Sequence, residues 1–284
     1  MDSFLTDFQK YIENHFFYDK NIIWFRRCVY SLLLLKMLFI WPEISMFYRH
    51  AISVRTGSFM PHKLIFLPIV HHYYKLYWFI ACLIVTLSLF YKKNRWLYIA
   101  VFIVSINYIF IANKATNSGD GLLNFLIFML IFVREGASKY SINQMINNAL
   151  LILIQVYFCL FYLLNAFGKI IKPLWRSGDY FKHAWNLYYY ANPSFIPHWF
   201  FNPTLQFITA WSVMIFEFIF PVLIWFKPYK KPLLAIGILF HFGIAILLSL
   251  PDFGLTMAIV YILFYDFKQT PDNDLSGSAI SDSN

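Results

Sequence analysis

Residues 149–169, with the sequence ALLILIQVYFCLFYLLNAFGK, decide the fold class of this protein. The stretch is almost entirely apolar, and about 20 such residues in a helix suffice to cross the hydrocarbon core of a bilayer. Its polar groups Gln155, Tyr162, Asn165 and Lys169 are spaced by seven, three and four residues. That spacing places them on one helix face. The stretch therefore predicts a transmembrane helix with one polar face.

The composition agrees with this prediction over the whole chain. Of its 284 residues, 60% are hydrophobic, 22% are aromatic and only 13% are charged, whereas about 25% are charged in an ordinary soluble domain. These values exclude a disordered chain and a water-soluble globule. The net charge of +9 comes from short clusters between apolar runs, so it indicates membrane topology and not a nucleic-acid partner. We expect the lipid bilayer to be the main partner.

Eight apolar runs are long enough to be candidate spans. They are residues 28–47, 73–91, 96–112, 119–133, 149–167, 205–226, 232–250 and 253–265. The sequence thus predicts an all-α, polytopic transmembrane bundle of about eight spans over residues 22–266. We expect residues 1–21 to form a cytoplasmic N-terminal segment. Residues 267–284 are rich in Ser, Asp, Asn and Gly, which predicts a disordered tail.

The Lys and Arg residues of the short loops predict the orientation. With eight spans, they concentrate on the side of the termini, so we expect both termini to be cytoplasmic and the protein to lie in a bacterial inner (plasma) membrane. The long connections, residues 48–72 and 168–204, then lie outside, and their tryptophans and basic residues predict interfacial helices. Six of the eight histidines fall there. No HExxH or similar pair occurs, so no metal site is expected.

Ionisable groups within the spans are the candidate functional residues, because a charge at bilayer depth is costly unless it serves a purpose. Glu217 lies in the sixth run and His241 in the seventh, and Lys36 is a natural counter-ion for Glu217. His241 fits a hydrogen-bonded core histidine and a proton relay equally well. Lys169 fits either a functional amine or a lysine that extends to the interface. Asp120 fits either a site residue or a helix-capping residue.

The order of several short motifs resembles the horizontally transferred transmembrane (HTTM) domain, the membrane portion of vitamin K-dependent gamma-carboxylase. The resemblance covers roughly residues 20–266. The motifs are residues 24–27 (WFRR), 117–120 (NSGD), 155–158 (QVYF), 165–169 (NAFGK), 175–179 (WRSGD) and 217–221 (EFIFP), together with His241.

The resemblance implies a quinone- or lipid-accessible site that faces outward, with a reduced vitamin K-type quinone as its cofactor. It assigns Lys169 as the general base, and we expect Glu217 and His241 to be catalytic partners. Substrate-binding residues are then expected at Gln155, Tyr162, Asn165, Trp175 and Asp120. No large soluble domain accompanies the spans, so carboxylation of proteins is not expected.

A non-catalytic alternative comes from the same resemblance. Membrane helper proteins for maturation of the sporulation-delaying toxin are similar to this domain, and such a helper would bind an exported peptide or protein and mature it or confer immunity to it. Whether the chain is an enzyme is left open at this point. Insensitivity to the loss of Lys169, Glu217 and His241 would distinguish the helper from the enzyme.

Overall fold

The computed structural model describes residues 19–46, 73–91, 94–112, 116–137, 141–186 and 198–265, and all regular structure in these ranges is helical. Short 3₁₀ helices lie at Trp41–Glu43 and His198–Phe201. The α-helices are α1 Asp19–Ile40, α2 Tyr74–Phe90, α3 Arg95–Ile111, α4 Ser118–Leu130, α5 Ile142–Ile170, α6 Pro173–Ser177, α7 Tyr180–Asn186, α8 Pro203–Leu223, α9 Lys227–Leu247 and α10 Pro251–Tyr261.

Each of the eight apolar runs coincides with one of the longer helices, so the prediction of an all-helical fold is confirmed. Four helical segments among the described residues are long and apolar enough to cross a membrane: Ile22–Met46, Ile142–Ile170, Pro203–Leu223 and Lys227–Leu247. Three shorter apolar helices, α2, α3 and α4, have 17, 17 and 13 residues. Eight spans remains a prediction.

Helix ends are set by local sequence. Asn94, Ser141 and Asn202 each accept a hydrogen bond from a backbone N–H in the first turn of the helix that follows, which satisfies donors that have no partner within the helix. Proline opens α6, α8 and α10 in the first turn, where its missing N–H is no loss. These residues fix where each helix begins, and hence the depth of its polar side chains.

The interior packs around α1 and α5. Helix α1 contacts α2, α4 and α10, α5 packs along α8, and α9 packs closely on α10. Large apolar side chains also cover the outer surface, including Phe39 (83% exposed), Leu164 (69%) and Leu239 (70%). In water such a surface would drive association. The arrangement suits a protein whose outer helix faces are solvated by lipid.

A buried ion pair joins α1 to the segment after α4. Arg26 donates to Glu135 and to the backbone carbonyl of Ser88 at the end of α2. The guanidinium lies 5.8 Å from the ring centre of Tyr30 and 5.3 Å from that of Tyr98. The two charged side chains are 1% and 3% exposed. The sequence analysis did not identify this pair, although Arg26 lies within an apolar helix face.

Short helices follow α5, in the region where interfacial helices are predicted. Trp175 of α6, Phe181 of α7 and Phe200 of the second 3₁₀ helix pack in a small apolar cluster with Val213 and Met214 of α8. They therefore cap one end of the α5–α8 pair. Several predicted features lie outside the described residues. They are residues 1–18 of the N-terminal segment, the connection 48–72 with His50, His62, His71 and His72, and the C-terminal tail.

Candidate functional site

The central feature of the site is an ion pair between α5 and α8. Lys169 lies in the last turn of α5, where a cation interacts favourably with the helix dipole. Its Nζ lies 2.5 Å from both carboxylate oxygens of Glu217. The lysine side chain is 19% exposed and the glutamate side chain 8%. Two residues that are 48 positions apart in the chain, both predicted to be functional, are thus in direct contact.

Trp175 completes the surroundings of the lysine. Its ring centre is 5.2 Å from Lys169 Nζ, within the range of a cation–π contact. The ring also stacks on Tyr180 at 4.0 Å and is itself buried. Because Trp175 follows the end of α5 in a short separate helix, its indole folds back over the lysine. The ammonium therefore has a carboxylate and an aromatic face as neighbours.

A cavity of about 380 Å³ opens beside this pair. Its walls come from α5, α8, α9, the start of α10 and the short helices after α5, and most of its lining is apolar. The polar groups of Lys169, Glu217, Asn165 and Tyr162 also lie on its wall. A pocket with apolar walls and a few converging polar groups is the usual form of a small-molecule site.

Tyr162 connects the cavity to a second, deeper set of polar groups. Its hydroxyl lies 2.5 Å from Nε2 of His241 on α9 and 2.5 Å from the hydroxyl of Tyr261 on α10. The ring stacks on Phe220, with centres 4.7 Å apart. His241 is 2% exposed. The structure therefore gives His241 a hydrogen-bonded place in the core, next to a residue of the cavity wall.

Two amides of α5 have different surroundings, although they share the predicted polar face. Asn165 lines the cavity and donates to the Phe161 carbonyl of its own helix at 2.7 Å. Gln155 is buried further along α5 and donates to the Leu263 carbonyl at 2.7 Å. Gln155 therefore joins α5 to the segment after α10, and the structure does not place it on the cavity wall.

Lys36 belongs to a different cluster from the one predicted. It contacts Asp252 at the start of α10, and its Nζ lies 2.9 Å from Asp120 of α4. The prediction that Lys36 neutralises Glu217 is therefore wrong, because Glu217 is paired with Lys169. Helix neighbours decide such pairings, and the sequence did not indicate that α1 lies against α4 and α10.

Asp120 acts as a helix-capping residue, one of its two predicted roles. Its carboxylate accepts from the Asn117 backbone N–H at 2.8 Å, and Asn117 caps Gly119 in return. The Asn117 side chain also donates to Asp252 at 2.8 Å. Asn117 and Ser118 reach the cavity wall. A direct role of Asp120 in binding remains a prediction.

The sequence analysis did not identify Tyr261 or Asp252. Asp252 follows Pro251 in the first turn of an apolar helix, a pattern that indicates a helix start and leaves the partner open. Tyr261 had no distinguishing signal among 20 tyrosines. No group of three His, Cys, Asp or Glu side chains suited to a metal occurs in the part of the chain that the structure describes.

Comparison with known proteins gives this chain no relative. No protein-family model matches the sequence, and neither a curated protein nor a solved structure matches it.

Proposed function

We propose that this chain is a multi-pass membrane enzyme that binds an apolar, membrane-soluble ligand of the vitamin K quinone type, with Lys169 as its general base. The observation that supports this most strongly is the contact of Lys169 with Glu217 at the wall of an apolar cavity. The HTTM-like motifs include both residues. An ionic group at membrane depth is costly to retain, which favours a functional role for the pair.

The cavity has the chemistry that a fused-ring quinone requires. Its walls include Trp175, Phe181 and Phe240, which provide aromatic surface, and Lys169 and Glu217 provide charged groups on the wall. The outer faces of α5 and α9 carry exposed apolar side chains such as Leu164 and Leu239. A hydrophobic tail on the ligand would extend along such faces into lipid.

Glu217 makes a base role for Lys169 feasible. A lysine is a base only as the neutral amine. Transfer of one proton from Nζ to Glu217 along a 2.5 Å contact produces an amine and a carboxylic acid with no change in net charge. Glu217 thus accepts the lysine proton, and Pro221, which cannot donate to the Glu217 backbone carbonyl, loosens α8 at this point.

When bound, a hydroquinone of this type supplies an ionisable ring hydroxyl. Lys169 Nζ takes up the hydroxyl proton and returns to the ammonium form. The Trp175 face then stabilises that cation, and the deprotonated ligand oxygen is its counter-charge. The apolar walls limit access of water to the cavity. The proton of the ligand hydroxyl is therefore exchanged with Lys169 and not with water.

The proposal places the chain in a bacterial inner membrane with both termini in the cytoplasm, as the loop charges predict. The site then faces the outer leaflet. Trp175 and the short helices after α5 cover this end of the cavity. A quinone dissolved in the bilayer would enter between helices and not from water.

The test is the oxidation of a vitamin K-type hydroquinone by dissolved oxygen, in lipid nanodiscs that contain the purified protein. Removal of the first hydroxyl proton accelerates this reaction, which yields the quinone and hydrogen peroxide. Lys169→Met is expected to lower the protein-dependent rate by at least about 100-fold, the usual contribution of a general base. Glu217→Gln should also lower it.

Lys172→Met is the matched control, because Lys172 is an exposed lysine three residues further along the chain. It should retain the native rate. A native rate in Lys169→Met would overturn the base role. If the Lys169, Glu217 and His241 variants all remained functional and co-purified with an exported peptide, the helper function would replace the proposed one.

A further inference from the structure

Tyr162, His241 and Tyr261 form a hydrogen-bonded group at the cavity that the base role of Lys169 does not use. Tyr162 lies on the cavity wall, and its hydroxyl contacts His241 and Tyr261 on two other helices. We propose that Tyr162 and His241 form a reversible proton relay for a second oxygen of the ligand. This inference deepens the proposed function and depends on it.

The spacing of the polar groups supports two contact points on one ligand. Tyr162 and Lys169 are seven residues apart on α5, so their Cα atoms lie about 10 Å apart along the helix axis. Both side chains line the same cavity. A ligand ring with oxygens at its opposite ends therefore has a polar side chain available for each oxygen.

The hydrogen-bonding capacity of Tyr162 leaves room for the ligand. A tyrosine hydroxyl has one proton to donate and can accept two hydrogen bonds. His241 Nε2 and the Tyr261 hydroxyl occupy two of these three places. The third is available to a ligand oxygen in the cavity.

His241 has the chemistry of a relay partner. A neutral imidazole carries a proton on one ring nitrogen and accepts at the other. Its Nε2 faces Tyr162, while Nδ1 is buried without a hydrogen-bond partner among the described residues. The imidazole can therefore change protonation at Nε2 without breaking a second hydrogen bond.

The relay step is a balanced proton transfer. A ligand hydroxyl gives its proton to the Tyr162 oxygen, and the Tyr162 proton passes to His241 Nε2. The O–H bond of the ligand breaks, its electron pair stays on the ligand oxygen, and a new N–H bond forms. In the reverse direction, His241 Nε2 returns its proton to Tyr162, and the Tyr162 proton passes to the ligand oxygen anion, so that the O–H bond forms again. A carbonyl form of the ligand instead accepts a hydrogen bond from Tyr162. Tyr162 thus serves both a hydroxyl-bearing and a carbonyl-bearing form of the ligand.

The packing around Tyr162 and His241 restricts the geometry of the contact between them. Phe158 meets the Tyr162 ring edge-on at 5.0 Å, and Phe220 stacks on it. A Cβ atom at Gly254 would lie 2.7 Å from the His241 carbonyl oxygen. Helices α9 and α10 therefore approach closely, and the tyrosine hydroxyl and the imidazole are held in contact.

The test is ¹⁵N NMR of histidine-labelled protein in nanodiscs, with a short-chain naphthoquinone and its hydroquinone as probes. The His241 signals are identified by their loss in His241→Gln. Binding is measured separately by the quenching of tryptophan fluorescence. We expect the ¹⁵N chemical shift of His241 Nε2 to differ between the quinone-bound and the hydroquinone-bound protein. In one complex it should lie closer to the value of an unprotonated ring nitrogen, and in the other closer to that of a protonated one.

Tyr162→Phe should bind the probes but lose this difference. Tyr157→Phe, which removes a tyrosine hydroxyl from the same helix at a residue that stacks on Phe125 and does not line the cavity, should keep it and is the matched control. Saturable binding of both forms with an unchanged His241 signal would overturn the relay and leave the base role intact. Failure of the native protein to bind either probe would overturn the proposed function, and the relay with it.

Discussion

Two buried ion pairs in this molecule have opposite surroundings. Arg26 and Glu135 are 1% and 3% exposed and contact a backbone carbonyl and tyrosine rings. Lys169 and Glu217 are 19% and 8% exposed and border a cavity of about 380 Å³. The first pair is enclosed by protein on every described side, and the second leaves room for a ligand.

The residue types fit this difference. Arginine presents several donors in a fixed plane and remains charged under all ordinary conditions, which suits a permanent link between helices. Lysine is a flexible point charge that can lose its proton when buried. The comparison teaches that a charge within an apolar helix has two uses, and that the space beside it distinguishes them.

The largest expected effect is on the enclosed pair. Arg26→Met leaves the Glu135 carboxylate without its cation and should lower the free energy of unfolding by about 3–5 kcal/mol. Thermal unfolding in detergent measures this. Arg27→Met is the control, because the neighbouring Arg27 is only half-buried and makes one long bond of 3.3 Å to the Leu89 carbonyl. Equal losses for the two variants would contradict the structural role of the enclosed pair.

The next effect concerns the close contact between Gly237 of α9 and Tyr261 of α10. A Cβ atom at Gly237 would overlap the Tyr261 hydroxyl, so Gly237→Ala should destabilise the protein by about 1–3 kcal/mol. Gly121→Ala is the control, since no atom lies within 4 Å of the added methyl group. The difference in melting temperature between the two variants reports the packing. If both melted like the native protein, the wall would be looser than described.

The smallest effect on stability is expected at the pair of Lys169 and Glu217. Lys169→Met should lower the free energy of unfolding by less than Arg26→Met does, because Glu217 can take up a proton beside the cavity whereas Glu135 is enclosed by protein. The same variant carries the largest loss of activity. A destabilisation as large as that of Arg26→Met would show that both pairs stabilise the fold, and would contradict the distinction between them.

Much of the fold could be predicted because each apolar run is a local property of the sequence. Helical spacing predicts one face for Gln155, Tyr162, Asn165 and Lys169. The last three line the cavity, whereas Gln155 donates to the Leu263 carbonyl. The partners of the charged residues were harder. Lys36 was assigned to Glu217 and instead contacts Asp120 and Asp252.

The reason is that pairing depends on which helices are neighbours. Spacing along one helix gives a direction for each side chain, but nothing in the sequence of α8 indicates that α5 and not α1 provides the lysine for Glu217. Tyr261 illustrates the same limit, because its contact with Tyr162 arises from the close approach of α10 to α5 and α9. The cavity itself is a gap between helices and has no sequence pattern of its own.

The most direct test of the central claim, that the open pair borders a quinone-binding cavity, is photolabelling of the protein in nanodiscs with an azido-naphthoquinone. The labelled residues are located by mass spectrometry. The account predicts label on cavity residues such as Asn165, Trp175 and Phe240, and its loss when unlabelled naphthoquinone is added in excess. Label spread over the outer faces of α2 and α3, without competition, would contradict it.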